Sequence, residues 1–309
     1  MPNKIIVPIV SMRSHETNRY SLLKDGNLQL HIARARYGDV IMVPRNSIDL
    51  EELMDRFQHI QFVPLQDWPL NAYETRKQFW QMHDIEEKIR GKKISHIVTD
   101  ITNCPVESVP VIYNFNITAD PKNPRPYIDE FLESDVESVN KSLRTFVLNE
   151  VQKENLVKAG ADENKIVVSQ KVLSPSMYFQ CFSEEPSKFD GVFHPFRISD
   201  KCYKFDEVIK HVAGTHLGIT ITDPNDSYIG SEYEALAQSL NVPVTIKKLT
   251  KDEYYKTLAK RPLIYYFENP NEVFHPGLAE LLYFGCRIKC PYQLPNVDDL
   301  IVKGDVWLN

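Results

Sequence analysis

Close to its start the chain runs Ile5-Ile6-Val7-Pro8-Ile9-Val10, and runs of this kind return along the sequence, separated by longer segments of mixed polarity. A strand built from continuous apolar, β-branched residues has no face left for water, so it belongs in a parallel sheet covered on both sides. A polar loop over 11–19 follows. Residues 20–37 then place Leu22, Leu23, Leu28, Leu30, Ile32 and Ala33 at helical spacing, Gly38 stops the helix, and Val40-Ile41-Met42-Val43 is the next strand. Strand, helix, strand is the unit of a parallel α/β sheet. The same reading predicts helices over 50–57, 72–90, 127–140 and 150–159, with strands over 60–63, 96–99, 109–115, 145–148 and 165–168.

Residues 174–190 break this rhythm with polar and turn-forming residues, and they read as a linker. Beyond it the rhythm restarts, with strands over 191–196, 217–222, 242–246, 263–266 and 287–290 and helices over 204–212, 233–240, 251–260 and 276–284. The expected organisation is therefore two Rossmann-like domains, residues 1–178 and 179–309. Domains of this class bind ligands beyond the carboxyl ends of their strands, and two of them facing each other make the cleft between them the expected site.

Composition narrows the function. The 309 residues suffice for two cores, and a net charge of −6 argues against a broad electrostatic grip on nucleic acid. Twenty prolines against eleven glycines make glycine-rich phosphate cradles scarce. No stretch has the length of an apolar membrane span, the first apolar run is too short for a secretory signal, and the five scattered cysteines suit a reducing compartment, so a cytoplasmic protein is expected. Cys286 and Cys290 lie four apart but lack the further ligands that a tetrahedral zinc site requires.

The most informative segment is Glu272-Val-Phe-His-Pro-Gly-Leu-Ala-Glu280, followed by Gly285-Cys286. Pro276 suits the first turn of a helix, whose amino end offers unpaired N–H groups to a phosphate. Glu280 then sits about one turn inside the helix, and Glu272 in the loop before it.

Here the chain resembles the GT-B superfamily of glycosyltransferases, in particular its retaining branch with paired glutamates seven residues apart, the family-4-like enzymes, in a compact form. Besides Glu272 and Glu280, the resemblance rests on Phe274, Pro276, Gly277, Leu278, Gly285 and Cys286. It also rests on the stretch Phe193-His-Pro-Phe-Arg197-Ile-Ser-Asp-Lys201-Cys-Tyr-Lys204, on residues 146–166, and on residues 247–257 before the motif. The likeness covers residues 145–300 well and residues 1–120 in outline. The sequence ends at Asn309, before the C-terminal helices usual in the family.

The resemblance implies an α/β protein of GT-B architecture, with an acceptor-side N-terminal domain and a C-terminal domain that binds a nucleotide sugar across a central cleft. It implies that Glu280 holds the ribose of the donor and Glu272 contacts the transferred sugar. Arg197, with Lys201 or Lys204, is expected to neutralise the diphosphate, while His275, Gly277 and Leu278 line the donor site. No metal and no cofactor beyond the donor substrate is expected, because the Asp-x-Asp pattern of metal-dependent relatives is not found at a strand end. Where the family has a glycine-rich loop after its first strand, this chain offers Arg13, His15 and Arg19. Where relatives carry a histidine near the sugar, it has Asn114 and Asn116.

The function expected from this resemblance is transfer of a hexose or pentose from a nucleotide sugar, with retention of configuration, to an acceptor the sequence does not identify: a small molecule, a glycan or a lipid-linked sugar. Two alternatives stand beside it. One is a phage-type DNA glycosyltransferase acting on a hydroxymethylated base, for which Arg13, Arg19, Arg34, Arg36, Arg45, Arg56, Trp68, Arg76 and Trp80 would have to form a DNA-facing strip. The other is an inactive homologue that binds nucleotide sugar without transferring it. His194 and His275 lie beside the expected site, and both read more simply as core or surface histidines.

Overall fold

A computed structural model describes residues 3–10, 17, 19–67, 79–80, 84–115, 128–175, 178, 189–198, 203–223, 226–271 and 274–303. The chain divides into two compact units, one from Met1–Asp120, Pro124–Ser174 and Val302–Asn309, the other chiefly from Pro175–Ile301.

The first unit is a seven-stranded sheet. Its strands are β1 (Asn3–Val7), β2 (Val40–Val43), β3 (Gln61–Pro64), β4 (Ile94–Thr99), β5 (Val111–Phe115), β6 (Arg144–Val147) and β7 (Ile166–Val168). They lie in the order β3-β2-β1-β4-β5-β6-β7, each parallel to its neighbours. The helices of this unit are α1 (Gly26–Arg34), α2 (Leu50–Arg56), α3 (Ile85–Ile89), α4 (Ile128–Lys141) and α5 (Glu150–Lys158). The apolar runs become the central strands because only a strand covered on both faces buries every residue. Ile5, Ile6 and Val7 are wholly buried, as is all of β2, and each such side chain contributes roughly 1.5–3 kcal/mol. Lys4 is buried among them and is compensated by Asp39, 2.7 Å away.

The second unit is a five-stranded sheet of β8 (Val192–His194), β9 (Ile219–Thr222), β10 (Val244–Lys247), β11 (Leu263–Tyr265) and β12 (Arg287–Lys289), in the order β10-β9-β8-β11-β12 and again parallel. Its helices are α6 (Phe205–Val212), α7 (Glu232–Ser239), α8 (Lys251–Ala259), α9 (Pro276–Tyr283) and α10 (Val297–Leu300). In α6 the buried residues Phe205, Val208, Ile209 and Val212 form one stripe at helical spacing. Helix α8 opens with a reciprocal capping box between Thr250 and Glu253. No described helix is long and apolar enough to cross a membrane.

Two elements differ from the sequence expectation. The helix expected over 20–37 begins only at Gly26, because Asp49 draws residues 21–23 into a loop. Its carboxylate accepts from Ser21 Oγ at 3.1 Å, Leu22 N at 2.7 Å and Leu23 N at 3.1 Å, and Asp25 then caps α1 through Leu28 N. The helix expected over 72–90 is interrupted at Asp84, whose side chain caps α3 by accepting from Glu87 N at 3.1 Å. Residues 72–78 and 81–83 of that expectation lie outside the described residues.

Candidate functional site at the strand-order reversal of the second sheet

In the second sheet the chain proceeds from β8 outward through β9 to β10, then returns to the other side of β8 for β11 and β12. Strand order therefore reverses between β8 and β11. In sheets of this kind ligands bind at the carboxyl ends of the strands where the order reverses. The loop after β8 carries Phe196 and Arg197, and the loop after β11 carries Phe267 and Glu268. The segments before α6 and α9 complete the surroundings.

Side chains tie these four segments together. Phe196 stacks on Tyr203 with ring centroids 4.6 Å apart, and the Tyr203 ring lies 4.8 Å from that of His275. The Tyr203 hydroxyl is 3.4 Å from His275 Nδ1, while His275 Nε2 is 2.6 Å from the carboxylate of buried Glu268. Lys204 donates to the carbonyl of Phe267 at 3.3 Å. It does so from a left-handed backbone conformation, φ +46°, which a lysine holds only when its surroundings impose it.

The predicted site residues fall as follows. Arg197 is exposed, with its backbone anchored between buried Phe196 and Ile198. Lys204 is also exposed, immediately before α6. His275 is the residue that precedes α9 and makes no capping bond with its side chain. Gly277 lies against Phe196, since a Cβ there would come 3.6 Å from that ring. Leu278 is fully buried, and its amide donates to the His275 carbonyl at 2.9 Å. Lys201 and Glu272 lie outside the described residues, as do Arg13, His15 and Asn116.

Glu280 sits one turn into α9, partly exposed. Its Oε1 accepts from the Tyr255 hydroxyl at 2.9 Å and from the Tyr178 hydroxyl at 3.2 Å. Both tyrosines are buried, and their rings meet edge to face at 5.0 Å. Phe284 packs on the pair, 5.8 Å from Tyr255 and 5.3 Å from Tyr178. Burial pushes the Glu280 carboxyl upward, against the opposing pull of the Lys251 charge and of hydrogen bonds from Tyr255, Tyr178 and Tyr254. The carboxylate is held in orientation by groups that favour its ionised form.

His194, at the end of β8, is buried between Phe196 and Phe205, at ring distances of 5.6 and 4.7 Å. Neither ring nitrogen finds a hydrogen-bond partner among the described residues, and burial pulls its pKa down to about 3. It is a neutral core imidazole.

The first sheet reverses its order between β1 and β4, and a polar network fills the carboxyl end there. Asp100, the residue after β4, accepts from Asn27 Nδ2 at 2.7 Å, Ile9 N at 3.2 Å and Asn114 Nδ2 at 2.9 Å, and lies 3.0 Å from His31 Nε2. Burial raises its carboxyl, but the charge and hydrogen bond of His31, with the bonds of Asn27 and Asn114, outweigh that and hold it below the usual carboxylate range. Asn114 also accepts from Arg34 at 3.3 Å, and Arg19 donates to the Ser47 carbonyl.

Four residues central to this geometry are not singled out by sequence reasoning: Glu268, Tyr203, Tyr255 and Tyr178. A signal exists for Glu268, the first charged residue after the apolar run from Leu263. None exists for Tyr178, which stands in a stretch with the composition of a linker.

No protein-family model matches the chain, and no curated protein sequence matches it. Solved structures do. Anabaena Alr3699/HepE in complex with UDP-glucose is 13% identical, with a TM-score of 0.58 over 93% of this chain and 80% of that one. Sucrose-phosphate synthase from Thermosynechococcus elongatus is 12% identical, with a TM-score of 0.56 over 93% and 81%. UDP-GlcNAc 2-epimerase from Methanocaldococcus jannaschii is 12% identical, with a TM-score of 0.50 over 94% and 83%. At these identities the likeness is one of fold: two Rossmann-like parallel sheets of the GT-B kind.

Proposed function

We propose that the chain is a glycosyltransferase that takes its sugar from a nucleotide sugar held by the second unit at the carboxyl ends of β8 and β11. The observation that carries this reading is the gathering there of two exposed cations, Arg197 and Lys204, with the amino end of α9 and, one turn further along, the carboxylate of Glu280. A diphosphate calls for fixed positive charge, and a ribose calls for an acceptor to take its hydroxyl protons. These groups offer both. The fold likeness to a protein in complex with UDP-glucose supports this class of donor.

In the transfer, the bond between the sugar's anomeric carbon and the diphosphate oxygen breaks. The acceptor oxygen bonds to that carbon, and its proton passes to the departing diphosphate. Negative charge grows on the departing diphosphate, and a prearranged Arg197, with Lys204 or Lys201, stabilises it without a divalent ion. Glu280 holds the ribose and Glu272 contacts the sugar, and retention of configuration is what the resemblance of this segment to the retaining branch implies. Incubation with radiolabelled nucleotide sugars, UDP-glucose first, tests the proposal. Slow release of sugar in the absence of acceptor is expected, reduced about a hundredfold by Arg197→Ala. Absence of both binding and turnover with every donor would contradict it.

The fold likeness to a UDP-GlcNAc 2-epimerase supports a second reading, inversion of a centre on the sugar with the product released as a nucleotide sugar. The same incubation separates the two, because epimerisation returns an altered nucleotide sugar and transfer or hydrolysis returns free UDP.

A further inference from the structure

Beside Arg197 and Lys204 a buried acid is tied to an imidazole. Glu268 Oε2 lies 2.6 Å from His275 Nε2, and among the described residues His275 is the one partner of that carboxylate. A carboxylate taken out of water stays ionised where donors or positive charge replace the water, and a protonated imidazole supplies both. The His275 side chain is 17% exposed. Among the described residues its Nδ1 has only the Tyr203 hydroxyl, at 3.4 Å, longer than a normal hydrogen bond. Three basic side chains thus surround one aromatic stack: Arg197 follows Phe196, Lys204 follows Tyr203, and the His275 ring lies 4.8 Å from that of Tyr203. Helix α9 adds little backbone grip of its own. Pro276 has no N–H, and the Leu278 amide is bonded to the His275 carbonyl. A diphosphate at this end therefore depends on side-chain charge.

We infer that His275 is the third cation of the donor site, taking a proton from solvent when a nucleoside diphosphate binds and donating through Nδ1 to a phosphate oxygen. Glu268 is the positioning residue that holds the ring by Nε2 and balances its charge. The inference rests on the proposed donor site of Arg197 and Lys204. The charged and titratable groups on the segments about His275 are Glu268, Arg197, Tyr203 and Lys204, with Cys290, whose thiol lies 4.0 Å from the Glu268 carbonyl, and Glu280 a turn into α9. Before ligand binds, Glu268 alone sets negative charge against two cations and the positive end of α9. A diphosphate adds negative charge, which favours the protonated ring. Proton uptake and binding are then linked, so affinity falls as pH rises, by up to about tenfold per pH unit for one proton.

Calorimetric titration of the full chain with UDP at pH 8, repeated in buffers of different ionisation enthalpy, counts the protons taken up. At that pH the terminal phosphate, whose second pKa is about 6, has already lost its proton, so uptake belongs to the protein. The wild type is expected to take up protons on binding and to bind UDP more weakly at pH 8 than at pH 7. His275→Gln stays polar but does not titrate. Its uptake is expected to vanish, its pH dependence to flatten and its affinity at pH 7 to fall about tenfold. Glu268→Gln leaves the imidazole in place and is expected to reduce both uptake and affinity. A wild type that binds UDP without taking up protons, or uptake unchanged in both variants, overturns the inference and leaves the donor site standing. A wild type that binds no UDP removes the donor site and the inference together.

Discussion

Burial of a group that can carry charge is the costliest thing a single residue does in this protein, and the chain handles it in three ways. Lys4 is paired with Asp39 Oδ2, and that same oxygen also accepts from Arg36 N at 2.6 Å. Asp100 is surrounded by donors. His194 is instead left neutral, walled in by aromatic rings and bonded to none of the described residues. Its folded pKa, about 3, lies well below the ordinary value of 6.5. Between those values the unfolded chain binds a proton that the folded chain refuses, so stability falls as pH drops below 6.5. The expected loss from this residue between pH 7 and pH 5 is about 2 kcal/mol. Denaturant unfolding of His194→Leu, beside the wild type at both pH values, checks it. The variant's stability should fall less by that amount, and parallel curves would place the imidazole in contact with something that accepts its proton.

At the scale of the element, the strands were legible because their signal is local. Val40–Val43 is apolar throughout and forms β2 over that span, and the runs near Ile219, Val244, Leu263 and Arg287 each become a strand of the second sheet. Where the signal depends on a distant residue, it is not legible. Residues 20–25 have helical spacing yet form a loop, because Asp49, some twenty-seven residues on, takes the amides of Leu22 and Leu23. Tyr178 belongs to the same class: its neighbours in sequence look like linker, and only the fold brings α8 and α9 to it. Glu268 is legible in principle, as the acid that closes an apolar strand, whereas its bond to His275 is not. Gly191 marks the start of β8 with φ +92°, and a Cβ there would stand 2.8 Å from the Gly218 carbonyl oxygen, a backbone atom that already accepts from Val192 N. Gly191→Ala is therefore expected to destabilise the protein by about 2 kcal/mol, read as a lower denaturant midpoint at unchanged slope.

The whole molecule is two parallel sheets, each with its strand order reversed at one place, and the two reversals are furnished differently. In the first unit the reversal is filled by side chains that satisfy one another around Asp100. In the second, Arg197 and Lys204 stand exposed beside the start of α9, with Glu280 oriented by tyrosines behind them. This contrast points to the second reversal as the place of the proposed donor site. Hydrogen exchange of the full chain with and without saturating UDP-glucose measures that place directly. Slowed exchange is expected at Phe196–Ile198, Tyr203–Lys204, Phe267–Glu268 and His275–Glu280, with the amides around Asp100 unchanged. Protection centred on the first sheet, or saturating ligand that slows no amide at the ends of β8 and β11, would contradict it.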